Sequence, residues 1–236
     1  MTLTGTGHRW GTITLDSADN DMTYYDLTID KYLQIKEILE EGTDDLNIQV
    51  QMIAVLDECD EDDVLDLPID EYKEKVRMIG FLSSPVVPSP KCPKTITIAG
   101  QVYETVQDIK KFTAGQYIDY ETLMKSEDFY AHIPNILACL FIPKGKDYGK
   151  DYDIMEVADK IRYNVSIGMA IDVCFFFMMK SRRLINRMLD CLVLETKIQM
   201  RKTRNREVKT KMKEALMKIQ ELQDSLENGT GFTALT

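Results

Sequence analysis

Apolar and polar positions follow a pattern that nearly repeats along this chain. Alternating residues at 12–15 come before two apolar helical stretches at 26–33 and 53–56. Roughly 85 residues later the same order recurs, over 95–98, 111–118 and 137–140. A repeat of this kind is typical of a duplicated structural unit. The pattern therefore predicts two modules, each a β-hairpin followed by helices.

The first module begins with alternation over Gly11–Leu15 and Met22–Leu27, on either side of an Asp- and Asn-rich turn. This alternation predicts a β-hairpin. Thr28 is placed to cap a first helix that ends before Gly42. A second helix follows, and Pro68 opens a third.

A boundary is predicted at Ser83–Lys94, which holds four prolines and should form a semi-stiff extended linker. Alternation resumes over Thr95–Ala99 and Val102–Val106, which predicts a second β-hairpin that turns at Gly100–Gln101. Helical spacing follows in three stretches: 113–125, 128–141 and 153–179. The predicted fold class is α+β and mostly α, with two duplicated β-hairpin-plus-helical-bundle modules and a long C-terminal helix.

The chain after Lys180 predicts one long helix that ends near Glu227. Its apolar residues are spaced 4, 3, 4, 3 and 4 apart: Val208, Met212, Ala215, Ile219, Leu222 and Leu226. This is the spacing of a coiled coil, so we call the set the seam and predict that it binds a partner helix. Packing within its own chain is the alternative. The tail carries Phe232, which suggests either a docking peptide or a frayed end.

Five segments result, and their charges differ. They are an acidic module (1–84), a Pro-rich linker (85–94), a second module (95–179), a basic amphipathic helix (180–228) and a flexible tail (229–236). Residues 1–90 carry twenty Asp and Glu against six Lys and Arg, whereas residues 180–220 carry four against thirteen. Because opposite potentials steer association, this favours head-to-tail contact between copies or a different partner at each end. Two solvated faces are the plain alternative.

The composition indicates a globular protein, with 44% hydrophobic residues and a net charge of -10. Five cysteines are an odd number without a Cys-x-x-Cys pair, which favours a reducing compartment over a disulfide framework. The N-terminus lacks the apolar core of a secretory signal. The longest apolar run, Val165–Met179, is broken by Asp172 and is shorter than the roughly 20 residues that span a bilayer. We therefore expect no membrane association.

Candidate chemistry is sparse. His8 and His132 are the two histidines, and they are too far apart in sequence to suggest a metal site or a base–nucleophile pair. The acidic run Asp57–Asp63 fails the pattern of a calcium-binding EF-hand loop. Its sixth position is Asp62, where glycine is needed, and its twelfth is Pro68, where a bidentate glutamate is needed. We predict no cofactor and no metal site.

Two further chemical interpretations remain open. An enzyme site would have to be assembled from scattered acids and tyrosines: Asp119, Tyr120, Tyr148 and Tyr152. The Lys and Arg residues of 197–213 are able to contact nucleic-acid phosphates, although this segment has no aromatic residue for base stacking. Neither pattern outweighs a function in protein–protein binding.

A resemblance rests on Val64–Leu82, which combines a Leu-x-Leu-Pro start, a helical pattern and a closing Phe-Leu pair. Together with the preceding Ile53–Leu56, this segment resembles the small helical core of tailed-phage tail assembly chaperones. Residues 112–179 are similar in style to structural-module proteins of Bacteroides-infecting and crAss-like phages. The resemblance implies a role in phage morphogenesis and transfers no functional residue. Such chaperones are commonly one short domain, so the second module and the long helix suit a virion component equally well.

The sequence therefore predicts a non-enzymatic phage structural or assembly protein of the neck, ring or tail region. The seam, an apolar patch at Phe175–Met179 and the charge asymmetry motivate contacts with other phage structural proteins and a homo-oligomer or ring. Packaged DNA is expected to contact Lys and Arg of 197–213 only incidentally. The expected location is the virion, or the host cytoplasm during assembly. The alternatives are a transient tail assembly chaperone and a host-directed regulatory binding protein.

Overall fold

The computed structural model describes residues 22–42, 44–203 and 205–227. Helices dominate these residues and a small antiparallel sheet accompanies them, so the predicted α+β, mostly helical class is confirmed. The chain divides into two compact units. The first holds the described residues up to Val87 together with Ser166–Gly168, and the second holds Pro88–Val165 and the described residues from Met169 onward.

The first unit is helical: α1 is Ile29–Glu41, α2 is Asp45–Asp57, α3 is Glu61–Leu65, α4 is Ile69–Met78, and a short 3-10 helix spans Ile79–Ser83. As predicted, α1 begins where the Thr28 side chain accepts the backbone N–H of Lys31. It ends at Gly42, where a Cβ would lie 2.7 Å from the carbonyl oxygen of Ile38. Pro68 precedes α4, again as predicted.

The core of the first unit lies between α1 and α2. Its buried side chains are Leu27, Ile29, Ile35, Ile48, Met52 and Ile53. Tyr24 connects the start of this unit to its end. Its hydroxyl donates to the carbonyl oxygen of Ser84 (2.8 Å), and its ring packs edge-on against Phe81 at 5.0 Å between centroids.

The predicted strand at Met22–Leu27 is wrong. The carboxylate of Asp26 accepts hydrogen bonds from the backbone N–H and the hydroxyl of Thr23 (3.0 and 2.7 Å), which closes the segment into a turn. Thr28 alone pairs with another strand-like residue, in an isolated bridge to Ser166. The other predicted strand, Gly11–Leu15, lies outside the described residues, and the duplication of modules stays a prediction.

The second unit combines a sheet with five helices in its described part. Its elements are β1 (Thr95–Ile98), β2 (Gln101–Thr105), α5 (Ala114–Met124), α6 (Phe129–Leu140), β3 (Phe141–Pro143), α7 (Ile154–Asn164), α8 (Ile167–Lys202) and α9 (Arg206–Glu227), with a 3-10 helix at Ile109–Lys111. The strands are antiparallel in the order β1-β2-β3, and Tyr103 of β2 is paired with Ile96 on one side and Pro143 on the other. The sequence did not predict β3, because it continues the apolar run of α6.

The β1–β2 turn is formed by Ala99 and Gly100, one residue earlier than predicted. Both have positive φ angles, 48° and 78°. Two successive residues of this kind form the tight turn that matches the twist of a β-hairpin. The backbone of Ala99 is therefore strained, since a Cβ disfavours the left-handed region.

Changing Ala99 to glycine should stabilise the second unit by up to about 1 kcal/mol, because the strain of a left-handed alanine is removed. Thermal unfolding of the full chain measures the gain. Gly100→Ala is the matched control and should lower stability, because its positive φ angle disfavours a Cβ. Nothing lies within 4 Å of the added Cβ, so a steric clash does not contribute to the loss. A fall in stability for Ala99→Gly would contradict this account of the turn.

The core of the second unit is built on α6 and the first part of α8. Phe177 is fully buried, and its ring centroid lies 6.1 Å from that of Phe112 and 6.2 Å from that of Tyr120. The predicted apolar patch at Phe175–Met179 is therefore wrong as a docking surface. Its members are buried or half-buried, because this turn of α8 is packed within the second unit.

Residues 88–94 of the Pro-rich stretch belong to the second unit. The N–H of Ser89 donates to the buried carboxylate of Asp172 on α8 (2.6 Å). On the β2 side, the Thr105 hydroxyl donates to the carbonyl oxygen of Pro93 (2.7 Å). These bonds hold the stretch in place along the unit.

The predicted helix from Lys180 to Glu227 is wrong in both its start and its continuity. α8 begins at Ile167, after a break at Val165–Ser166 that also divides the helix predicted for 153–179. The second break separates α8, which ends at Lys202, from α9, which begins at Arg206. There the side-chain oxygen of Asn205 accepts the backbone N–H groups of Glu207 (2.9 Å) and Val208 (3.3 Å), so Asn205 caps the start of α9.

Candidate protein-interaction surface

The C-terminal half of α8 and the whole of α9 form a helical hairpin. α8 ends at Lys202 and α9 begins at Arg206, and the side-chain amide of Gln223 on α9 donates to the carboxylate of Asp190 on α8 (2.9 Å). Asp190 precedes the connection and Gln223 follows it by comparable lengths of helix. The two helices therefore run antiparallel and side by side.

Partly covered side chains repeat along both helices. On α8 they are Asn186, Leu189, Val193, Thr196 and Met200. On α9 they are Lys209, Met212, Leu216, Ile219 and Gln223. Their spacings alternate between three and four residues, as in helices that pack along their length. This covered stripe is mixed in character, because several of its members are polar.

The structure divides the predicted seam into two sets. Met212 and Ile219 belong to the covered stripe of α9. Val208, Ala215 and Leu222 are exposed, and Leu222 is 56% exposed. Leu226 belongs to α9, but its side chain lies outside the described residues, as does Phe232. Only part of the seam is therefore packed within the chain.

An exposed apolar surface runs along one side of the helical hairpin. On α9 the exposed seam residues are seven apart and each directly precedes a covered residue. On α8 the same holds for three exposed residues, since each directly precedes a covered residue: Ile185, Met188 and Leu192. Because antiparallel helices place equivalent edges on the same side, the two edges adjoin. We call this the apolar face: Ile185, Met188, Leu192, Val208, Ala215 and Leu222.

The opposite side of the helical hairpin is charged. It carries the basic face, which we define as Arg183, Lys197, Arg206 and Lys213, all exposed. Two carboxylates also lie on this side: Asp190 accepts a hydrogen bond from Gln223, and Asp224 accepts one from Gln220. These four cations are therefore directed away from the apolar face, whereas Lys211 and Lys218 border its α9 edge.

A second apolar stripe lies on the side of α8 that is turned away from α9. We call it the outer stripe: Cys191, Leu194 and Ile198, with Leu194 60% exposed. Neither α8 surface was predicted, because a coiled-coil spacing marks only a single stripe on a helix. The available signal was the number of apolar residues over 184–200, which is larger than one coiled-coil stripe accounts for.

The predicted acids and tyrosines are brought together only in part. The Tyr148 hydroxyl donates to Asp119 (2.8 Å) and lies 3.3 Å from the sulfur of Cys139. Tyr120 is buried separately in the aromatic core. Burial raises the pKa of the Cys139 thiol to about 11 and that of the Tyr152 hydroxyl to about 12. Both stay protonated at neutral pH, so this cluster does not supply an activated nucleophile.

Two solvent-open grooves of ≈ 500 and ≈ 460 Å³ lie in the first unit, along α1 and α2. They share four lining residues: Gln34, Ile38, Gln51 and Val55. Acidic side chains, including Asp30 and Glu58 in one and Glu37 and Glu41 in the other, line them further. None of the predicted enzyme residues lines either groove.

The acidic run has structural partners. Asp57 pairs with Lys75 (2.6 Å), and the N–H of Asp60 donates to Asp63 (3.3 Å) at the start of α3. His8 lies outside the described residues, and His132 lies on α6. Within residues 22–42, 44–203 and 205–227, no group of three His, Cys, Asp or Glu side chains is placed to hold a metal ion.

Over the same part of the chain, no helix combines the length and the apolar character needed to cross a membrane. Comparison of the chain with family models, curated proteins and solved structures gave no match.

Proposed function

We propose that this chain is a non-enzymatic assembly protein that binds other polypeptides through its helical hairpin. The observation that carries the proposal is that the C-terminal half of α8 carries two exposed apolar surfaces, the apolar face and the outer stripe, beside the stripe that α9 covers. An apolar stripe on a helix normally packs against another element. One neighbouring helix leaves most of this surface exposed.

The size of this surface sets the kind of partner. Burying a whole Leu, Ile or Met side chain contributes about 1.5–3 kcal/mol, so a half-exposed one adds roughly half as much. A single contact of this size is smaller than the free-energy cost of association. Useful affinity therefore requires a partner that runs along the helical hairpin and covers several such side chains at once, as another helix does.

The setting we propose is the assembly of a tailed-phage particle, in the neck, ring or tail region. Support comes from the resemblance carried by Val64–Leu82, which here spans α4 and its Pro68 start and ends in the 3-10 helix. The partners are then other structural proteins of the particle. A transient tail assembly chaperone would use the same helical surfaces and differ in not being retained.

Mass spectrometry of purified phage particles, compared with the infected lysate, tests this setting. We expect the protein in the particles at a copy number similar to that of the neck or tail proteins. A chaperone would instead be found with tail proteins in the lysate and be absent from particles. Absence from both, or recovery with a host protein alone, would contradict the proposal.

Two variants connect this result to the surface. Leu194→Glu with Ile198→Glu, on the outer stripe, should lower the amount of protein that enters particles or binds tail proteins. Lys197→Ala with Lys213→Ala, on the basic face, is the matched control in the same helices and should leave that amount unchanged. A larger loss in the control would shift the function to charge contacts, including contacts with packaged DNA.

A further inference from the structure

We infer that a second copy of this chain covers the apolar face, so that two helical hairpins pack face to face around a two-fold axis as a four-helix bundle. This inference rests on the proposed function, because it names the occupant of one surface of the helical hairpin. The outer stripe stays available to other proteins.

The arrangement of the apolar face fits a copy of itself. Its two edges come from antiparallel helices, and the contact between Asp190 and Gln223 places Leu192 and Leu222 at the same level along the helical hairpin. A two-fold axis along the hairpin sets the α8 edge of one copy against the α9 edge of the other. Leu192 of each copy then meets Leu222 of its partner, and the contact occurs twice, as in an isologous interface.

The charge distribution also favours this face over the others. Residues 180–220 carry thirteen Lys and Arg against four Asp and Glu, so two copies repel each other when basic surfaces meet. The apolar face has no charged member, and packing through it leaves the basic face of each copy outside. At its rims, Glu195 on α8 and Lys218 on α9 lie at the same level, so the two-fold axis brings opposite charges together.

The area is sufficient for a specific dimer. Six partly exposed side chains form a patch on the order of 500 Å², a size that marks interaction sites. Two such patches bury about 1,000 Å² in total, which is the lower limit for a specific interface. We therefore expect a dimer that dissociates on dilution.

Light scattering coupled to size-exclusion chromatography of the full chain tests the inference. The unmodified protein should have twice the mass of one chain at high concentration. The double variant Leu192→Glu with Leu222→Glu should have the mass of one chain, with a dissociation constant raised on the order of 100-fold or more. Both leucines are about half exposed in the single chain, at 48% and 56%, so circular dichroism should show unchanged helix content.

Leu194→Glu is the matched control, because it introduces the same side chain at a more exposed leucine of the outer stripe and should leave the dimer intact. At the rim, Glu195→Lys should weaken the dimer and Lys218→Glu in the same chain should restore it. A monomeric unmodified protein overturns the inference, as does dissociation by Leu194→Glu to the same degree or an assembly that survives Leu192→Glu with Leu222→Glu. A monomer that still enters particles overturns the inference alone, whereas a dimer without any particle partner overturns the proposed function alone.

Discussion

Replacing Phe177 with alanine should lower the free energy of unfolding of the second unit by about 3–5 kcal/mol. The ring is fully buried and contacts Phe112 and Tyr120, so its removal costs both the transfer of the ring to water and the cavity that remains. A loss of this size is a large fraction of the stability of a small domain. Urea unfolding followed by circular dichroism measures it.

Phe176→Ala is the control for this change. Phe176 is the neighbouring residue in the same helix and is only half-buried, with the ammonium group of Lys180 4.4 Å from its ring centroid. It should cost clearly less than Phe177→Ala. Equal losses at the two positions would mean that the core does not lie where the structure places it.

Replacing Ile219 with glutamate should release α9 from α8. Ile219 belongs to the covered stripe, so a carboxylate there has to be buried against α8 or the two helices have to separate. In proteins a helix draws most of its stability from packing of its apolar side, and α9, with 22 residues, packs against α8. We expect the helical signal in circular dichroism to fall by the contribution of about this one helix, while the rest of the fold persists.

Leu222→Glu, three residues further on, makes the same chemical change at an exposed position and should leave the helical signal unchanged. The sequence alone predicts a common role for Ile219 and Leu222, as neighbouring members of the seam. The structure separates them, because one is covered by its own chain and the other is not. Loss of helix in the Leu222 variant would show that both face α8.

Helix ends were predictable where one side chain decides them. Thr28 supplies an oxygen for a backbone N–H, Gly42 leaves room for a close approach, and Pro68 cannot continue an earlier helix. These effects act within a few residues, so they are visible in the sequence. The helical class of the chain follows from such signals and from apolar spacing.

The errors arose where hydrogen-bond partners that the apolar spacing does not reveal decide the structure. Phe141–Pro143 reads as a continuation of α6, yet it pairs with β2 as the third strand of the sheet. Met22–Leu27 alternates like a strand, but the carboxylate of Asp26 closes a local turn that competes with pairing. Spacing in one sequence does not show which of these partners is present.

The apolar spacing of α9 predicted an interaction surface there, but not which of its residues are exposed. A spacing of three and four marks the edges of a helix without showing which edge its own chain covers. Met212 and Ile219 are turned to α8, whereas Val208 and Leu222 remain exposed. Which edge of α9 is covered depends on the break between α8 and α9, which allows α9 to fold back onto α8. The sequence signal there was Asn205, which interrupts the stripe and caps α9.

The continuity of α8 has a mechanical consequence. A single helix leads from Phe177, deep in the core, to Ile198 on the outer stripe, a span of about 30 Å at the rise of an α-helix. Helices of this length bend only gently, so α8 is a rigid helix without a hinge. A protein bound near the C-terminal end of α8 would therefore have a fixed orientation relative to the rest of the second unit. A force on that protein would be transmitted along α8 to the aromatic core.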